Sequence, residues 1–165
     1  YAASKAAAEA FIRSIEHRSN YACTVVRMTN NYGPRQHPEK AIPCWIEHAL
    51  NKKAIPIHGR GLAERDWLHV EDFCRGLLLV LNDGTPGEIH HFSGGNLLPN
   101  RHVAQKIATY CGGRDIIEGP ERPGQDARYG LDDSKTRTQL NWQPRLDFDA
   151  GLHALIDWTR SGRAA

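Results

Sequence analysis

The 165 residues contain no C-x-x-C pair, no long block of like charge and no extended apolar run. Cys23, Cys44, Cys74 and Cys111 stand far apart, which suggests neither a zinc site nor a disulfide framework and fits a reducing, cytoplasmic setting. The histidines are scattered too, and His90-His91 falls in a strand-like run without metal-ligand spacing, so no metal site is expected. Nothing approaches the roughly 20 apolar residues of a membrane span. A net charge of +2 without clustered Lys and Arg argues against a nucleic-acid surface. Internal repeats and low-complexity segments are missing as well. What remains, 40% hydrophobic and 24% charged, is the composition of an ordinary globular domain.

Hydrophobic periodicity organises the rest. Residues 2–17 are Ala-rich, with Phe11, Ile12 and Ile15 recurring on one side, and read as a helix closed by Arg18-Ser19-Asn20. Cys23 to Met28 is short, β-branched and apolar, as a buried parallel strand requires. Asn30-Asn31-Tyr32-Gly33-Pro34 is turn chemistry at the carboxyl end of that strand, where ligands bind in open α/β sheets. Further helices are expected over 42–50, 71–81, 101–111, 133–140 and 148–159, and strands over 54–58, 66–70, 89–92 and 115–117. This alternation predicts an α/β fold. The apolar positions of 73–81 (Phe73, Cys74, Leu77, Leu78, Val80) and of 152–158 (Leu152, Leu155, Ile156, Trp158) are expected in the core, as is Trp67. Gly119 to Gly124 reads as a loop, and the residues from Ser161 onward look frayed.

The chain opens on Tyr1-Ala-Ala-Ser-Lys5, which places a phenol and an ammonium on one helical face, four residues apart. A cation beside a phenol favours its charged form and makes it a base for an alcohol proton. The same pair is also an ordinary helix-surface pattern. Because the candidate base is residue 1 itself, the sequence is expected to be the C-terminal part of a longer protein.

Four segments in register carry a resemblance: Tyr1–Lys5; Thr29–Pro34 with Glu39-Lys40; Arg65-Asp66-Trp67; and Arg122-Pro123-Gly124 with Asp126 and Arg128-Tyr129. From Tyr1 to about Trp158 the chain resembles the extended short-chain dehydrogenase/reductase family, most closely its dTDP-glucose 4,6-dehydratases. The resemblance implies an extended Rossmann-type NAD-binding fold with a smaller α/β substrate domain. Residues 1–33 would be the last helix and strand of the Rossmann part. Residues 34–165 would form mainly the nucleotide-sugar domain, with about 66–92 returning to the Rossmann part. It implies a reaction with NAD as cofactor: oxidation of dTDP-glucose at C4, loss of water across C5 and C6, and hydride return to C6, giving dTDP-4-keto-6-deoxyglucose. Tyr1 and Lys5 would be catalytic and, with Asn31, would hold the cofactor. Asn30, Lys40, Ala41, Pro56, Ile57, His58, Arg65, Asn100 and Arg128 would contact the nucleotide-sugar, and Glu121, Arg122, Pro123, Gly124 and Gln125 would form a loop over the nucleotide. A homodimer is implied, built partly on residues 2–17.

The chain also departs from that pattern. The family's Asp-Arg-Pro-Gly-His loop reads Glu121-Arg122-Pro123-Gly124-Gln125 here, and His91 stands where the dehydratases commonly carry Asn, leaving nucleotide and sugar preference open. Neither a G-x-G-x-x-G phosphate turn nor a Thr-Asp-Glu run occurs in these residues. The isolated chain is therefore expected to be inactive and to expose apolar surface on residues 2–17. A nucleotide-sugar 4-epimerase and a UDP-glucuronate decarboxylase share the C4 oxidation and stay open as alternatives. So does a module that binds nucleotide-sugars without turning them over. Plain readings stand beside these: a simple turn at Asn30-Asn31, a surface ion pair between Arg65 and Asp66, and a backbone rather than an imidazole role for His58.

Overall fold

Short β-branched bursts between amphipathic runs become a layered α/β structure. The computed structural model describes residues 1–19 and 21–162. In chain order the first elements are α1 (Ala2–Ser19), β1 (Val25–Met28), β2 (Asn30–Tyr32), α2 (Ala41–Leu50), β3 (Ile55–His58), β4 (Glu64–His69) and α3 (Val70–Asp83). Then follow β5 (Ile89–Phe92), β6 (Leu97–Pro99), α4 (Asn100–Tyr110), β7 (Ile116–Gly119), β8 (Arg128–Tyr129), α5 (Ser134–Leu140) and α6 (Phe148–Arg160). Asn20 and residues 163–165, which hold the end of the first expected helix and most of the expected frayed tail, lie outside the described residues.

The strands form three sheets. β1 pairs with β5 and β3 with β7, both in parallel. β4 is the centre of the third sheet: β2 lies parallel to Trp67–His69, β6 antiparallel to Glu64–Asp66, and β8 parallel to Glu64-Arg65. Asp66, Trp67, Leu68 and His69 are all buried, so β4 is covered on both faces. The larger core joins α2, α4 and α6 to β3 and β4 through Ile42, Trp45, Ile46, Ile57, Trp67, Val103, Ile107, Leu152 and Ile156. A second cluster, Leu68, Val80, Phe92, Leu140 and Trp142, packs α3 and α5 against β5.

Two buried carboxylates fasten the loops to this frame. Asp72 accepts from the Arg75 guanidinium at 2.6 Å and from the backbone N–H groups of Arg145 and Leu146 at 3.0 Å. Asp66 accepts from the Ser93 hydroxyl at 2.5 Å and from the Asn96 N–H at 2.8 Å. The expected Arg65–Asp66 surface pair is thus replaced by a buried tie, because a carboxylate 2% exposed must have its lone pairs filled. Three other expectations change. Asn30–Tyr32, read as turn, forms a strand because β4 supplies its ladder partner. β6 and β8 are too short to carry a period. On α3, Cys74 and Leu78 face solvent together with Leu81, since β5 and α5 cover only the opposite side of the helix.

Two histidines make the fold sensitive to acid. His69 caps α3, its Nδ1 accepting from the Glu71 N–H at 3.3 Å, a role that needs a free lone pair. His90 is 1% exposed and neither ring nitrogen has a protein partner. Burial holds both imidazoles below the ordinary histidine range. Their unfolded value is about 6.5, so the stability they contribute is complete above that pH and is lost as pH falls through the lower folded values. Urea midpoints should therefore be flat between about pH 7 and 8 and fall below about pH 6.5. His69→Asn, which keeps a capping acceptor, should reduce the fall; an unchanged acid slope in that variant would remove His69 from the account.

Candidate functional site: a cavity between α2, β3 and β4

A cavity of about 580 Å³ opens where β2, β3 and β4 meet the start of α2. β2 and β4 are in register at Asn30 and Trp67, so Asn30, Asn31, Arg65 and Trp67 arrive on one wall. The Trp45 indole N–H donates to the Pro56 carbonyl at 2.7 Å, pinning α2 to β3. That bond sets the first turns of α2, with Lys40, Ala41 and Cys44, opposite Pro56, Ile57 and His58. Lys40 offers no side-chain cap to α2, so the first N–H groups of the helix stay available to an acceptor. Gly119, Pro120, Arg122 and Gln125 line the remaining side, their loop held by the Gly59 N–H donating to the carbonyls of Gly119 and Pro120. Gly59 has φ +52°, a left-handed conformation that glycine adopts without strain, and this turn carries the N–H that holds the loop.

The lining divides by chemistry. Lys40, Arg65 and Arg122 bring three cations, and none of them forms an ion pair among the described residues. Asn30, Asn31, Gln36 and Asn100 bring carboxamides whose oxygens are buried and have no protein partner. Trp67 is core, as expected, at 4% exposure, yet it also lines the cavity and its indole N–H is unpaired. Such a wall can hold a ligand with anionic groups at one part and hydrogen-bond donors at another.

Of the residues singled out from sequence, Asn30, Asn31, Lys40, Ala41, Pro56, Ile57, His58, Arg65, Asn100, Arg122 and Gln125 line the cavity. Glu121, Pro123, Gly124 and Arg128 are not on its wall: Gln125 donates to Glu121 at 3.1 Å, and Arg128 pairs with Glu64 at 3.8 Å. Tyr1 and Lys5 are also off it, on the first turn of α1; Tyr1 is 95% exposed, and the Lys5 ammonium lies 5.5 Å from its ring centroid. Sequence reasoning passed over Gln36, Glu39, Cys44 and Trp45 as site residues. Cys44 follows Lys40 by four positions, so helical spacing could have found it; Gln36 carries no local signal.

An α/β frame with parallel strands beside this cavity has the fold of the extended short-chain dehydrogenase/reductase type. Residues 1–155 match the GDP-mannose 4,6 dehydratase family, and the chain belongs to it. It is 42% identical over 166 residues to the dTDP-glucose 4,6-dehydratase of Streptomyces niveus, covering 99% of this chain and 49% of that protein. A solved dTDP-glucose 4,6-dehydratase, DesIV of Streptomyces venezuelae with NAD bound, superposes with a TM-score of 0.95 at 37% identity, covering 99% of this chain and 51% of that one. The UDP-glucose 4-epimerase of Thermotoga maritima shares the fold, with a TM-score of 0.93 at 24% identity over 99% of this chain and 54% of that one. The chain thus spans about half the length of the relatives it matches.

Burial pushes the Cys44 thiol up, with Glu47 adding to the effect, while Cys74 is exposed. Alkylation by iodoacetamide at about pH 8 should reach Cys74 well before Cys44, because the thiolate is the reactive form. Peptide mass spectrometry reads the order, and equal rates would mean that the cavity wall around α2 is not formed.

Proposed function

We propose that the protein carries out NAD-dependent dehydration of a nucleotide-sugar, dTDP-glucose to dTDP-4-keto-6-deoxyglucose. The observation that carries this reading is the division of the cavity wall into unpaired cations and unpaired carboxamide oxygens. Arg65 and Arg122 suit a diphosphate, which guanidinium forks bind bidentately. Lys40, the uncapped start of α2 and the strand edge at Pro56, Ile57 and His58 complete the nucleotide end. Asn30 and Asn100 accept from the hydroxyls of the sugar. Glu121 to Gln125 close over the nucleotide, and Arg128 adds a further charge.

Tyr1 takes the proton of the sugar C4 hydroxyl, and Lys5, one helical turn on, keeps a positive charge at that phenol. For NAD the residues present fit the nicotinamide end, through the Tyr1–Lys5 pair and the buried, unpartnered Asn31 carboxamide oxygen. When bound, that cofactor supplies the hydride acceptor and donor. A ketone at C4 acidifies the C5 hydrogen, which permits the loss of water across C5 and C6. No residue here is assigned as the acid or base of that elimination. On α1, Phe11, Ile12 and Ile15 are exposed, which suits pairing with a second copy in a homodimer. No helix among the described residues is long and apolar enough to cross a membrane, and all four cysteines are free; the cytoplasm is the compartment that suits them.

The test is incubation of the natural gene product with dTDP-glucose and NAD, read by mass spectrometry and NMR. Loss of one water, with a new C4 ketone, is expected. A product of unchanged mass would replace dehydration by epimerisation, and binding without turnover would leave a sugar-binding module. Tyr1→Phe should cut turnover roughly 10²–10⁴-fold while leaving dTDP affinity intact. Arg65→Ala or Arg122→Ala should weaken dTDP binding roughly 10- to 100-fold, the scale of one hydrogen bond to a charged group.

A further inference from the structure

We propose that Gln36 is a specificity-determining residue: its carboxamide oxygen accepts from a hydroxyl of the sugar and disfavours a sugar carrying a carboxylate. This deepens the nucleotide-sugar reading and rests on it. Gln36 lies in the turn after β2 and lines the cavity. Its Nε2 donates to the Asn31 carbonyl at 2.8 Å, five residues back. A carbonyl only accepts, so this bond fixes which end of the amide is which. One N–H of the amide is committed to the backbone, which orients the group and leaves Oε1 as an acceptor, buried and without a protein partner.

The tie spans a constrained turn. Gly33 has φ +146°, where a Cβ would meet Val70 at 2.5 Å, and Arg35 has φ +65°, a region that side-chain-bearing residues rarely occupy. The Gln36 amide holds this turn closed and cannot rotate to exchange its ends without losing the Asn31 bond. The neighbouring oxygens of Asn30 and Asn31 are also unpartnered, but their amides carry no comparable anchor: Asn31 Nδ2 reaches only the Met28 sulfur at 3.8 Å. Asn30 and Asn31 can therefore turn either end to a ligand, whereas Gln36 is held with its Oε1 acceptor in a fixed orientation. A hydroxyl donates to it. A carboxylate has no proton to give and meets it oxygen to oxygen. The cavity's cations are Arg65, Lys40 and Arg122, and in the proposed reading they are occupied by the diphosphate, so they do not relieve a second anion.

The test measures binding of dTDP, dTDP-glucose and dTDP-glucuronate to the natural gene product and to Gln36→Met and Gln36→Lys by calorimetry. Met removes both ends of the amide. Lys still donates to the Asn31 carbonyl and removes only the acceptor, which guards against a variant that merely loosens the turn. Both substitutions should weaken dTDP-glucose about tenfold, the scale of one buried hydrogen bond, and leave dTDP within about twofold. The preference for glucose over glucuronate should shrink in both. Equal losses for all three ligands would make Gln36 a turn clamp and overturn the proposal, as would unchanged affinities. Failure of the unmutated protein to bind even dTDP would instead sink the reading of the cavity on which the proposal rests.

Discussion

The buried carboxylate of Asp66 is the constraint on which the cavity depends. β4 is buried on both faces, and alternate residues of a strand point to opposite sides. Arg65 and Trp67 therefore share the side that faces the cavity, and Asp66 faces the other way. There it accepts from Ser93 and Asn96, drawing the loop 93–96 so tightly onto the strand that a Cβ at Gly94 would lie 1.8 Å from the Trp67 carbonyl. A slip of β4 by one residue would bury the Arg65 guanidinium and strip Asp66 of its donors, both costly. The register is thus held by a polar group that the cavity itself never touches. His69 ends the same strand by capping α3, so one six-residue segment places a cavity cation, a core indole and a helix start.

α2 performs the complementary task. Its buried side, Ile42, Trp45, Ile46 and Ala49, fixes it against α4 and α6, and the Trp45–Pro56 bond fixes it against β3. The first turn of the helix, with Lys40, Ala41 and Cys44, is left on the cavity wall without a side-chain cap. Proline at position 56 contributes twice, since it has no N–H of its own and its carbonyl is taken by Trp45. That stretch of wall is consequently quiet in hydrogen bonding, and the polar side chains around it are His58, Lys40, Arg65 and the carboxamides.

The longer elements were legible because each has a period and an end signal. α3, α4 and α6 bury an apolar stripe, and β1, β3 and β5 are short β-branched or apolar runs between turns. β2, β6 and β8 were not legible, because strands of two or three residues exist through their partner β4 rather than through their own sequence. Residues of the cavity were read in part. Asn30 was legible from its place at the carboxyl end of a strand, whereas Arg65 and Lys40 were legible only through the family resemblance. Gln36 was missed because its meaning comes from a bond to Asn31 across an irregular turn, and Trp45 because its helical period announces only packing. The stripe Cys74, Leu78, Leu81 misled for the opposite reason: periodicity says that positions share a face and not that something covers it.

The cavity and the Tyr1–Lys5 pair lie on different parts of the chain. The residues of the cavity come from β2, α2, β3, β4 and the loops beside them, whereas Tyr1 and Lys5 belong to α1, a helix with no buried residue whose Glu9 pairs with Arg27 at 2.5 Å. The Glu9–Arg27 pair is part-buried and bidentate, and α1 contributes no residue to the cavity wall. A Tyr–Lys pair serves any reaction that begins by oxidising a sugar alcohol, and the same fold appears in the 24%-identical epimerase. Discrimination among such reactions and sugars then has to come from contacts whose strength differs between ligands. Among the described residues the carboxamides of the cavity wall, with unpartnered oxygens, are the groups with capacity for such contacts. Where an amide is pinned by the backbone, as at Gln36, its orientation is a property of the turn that holds it as much as of the side chain.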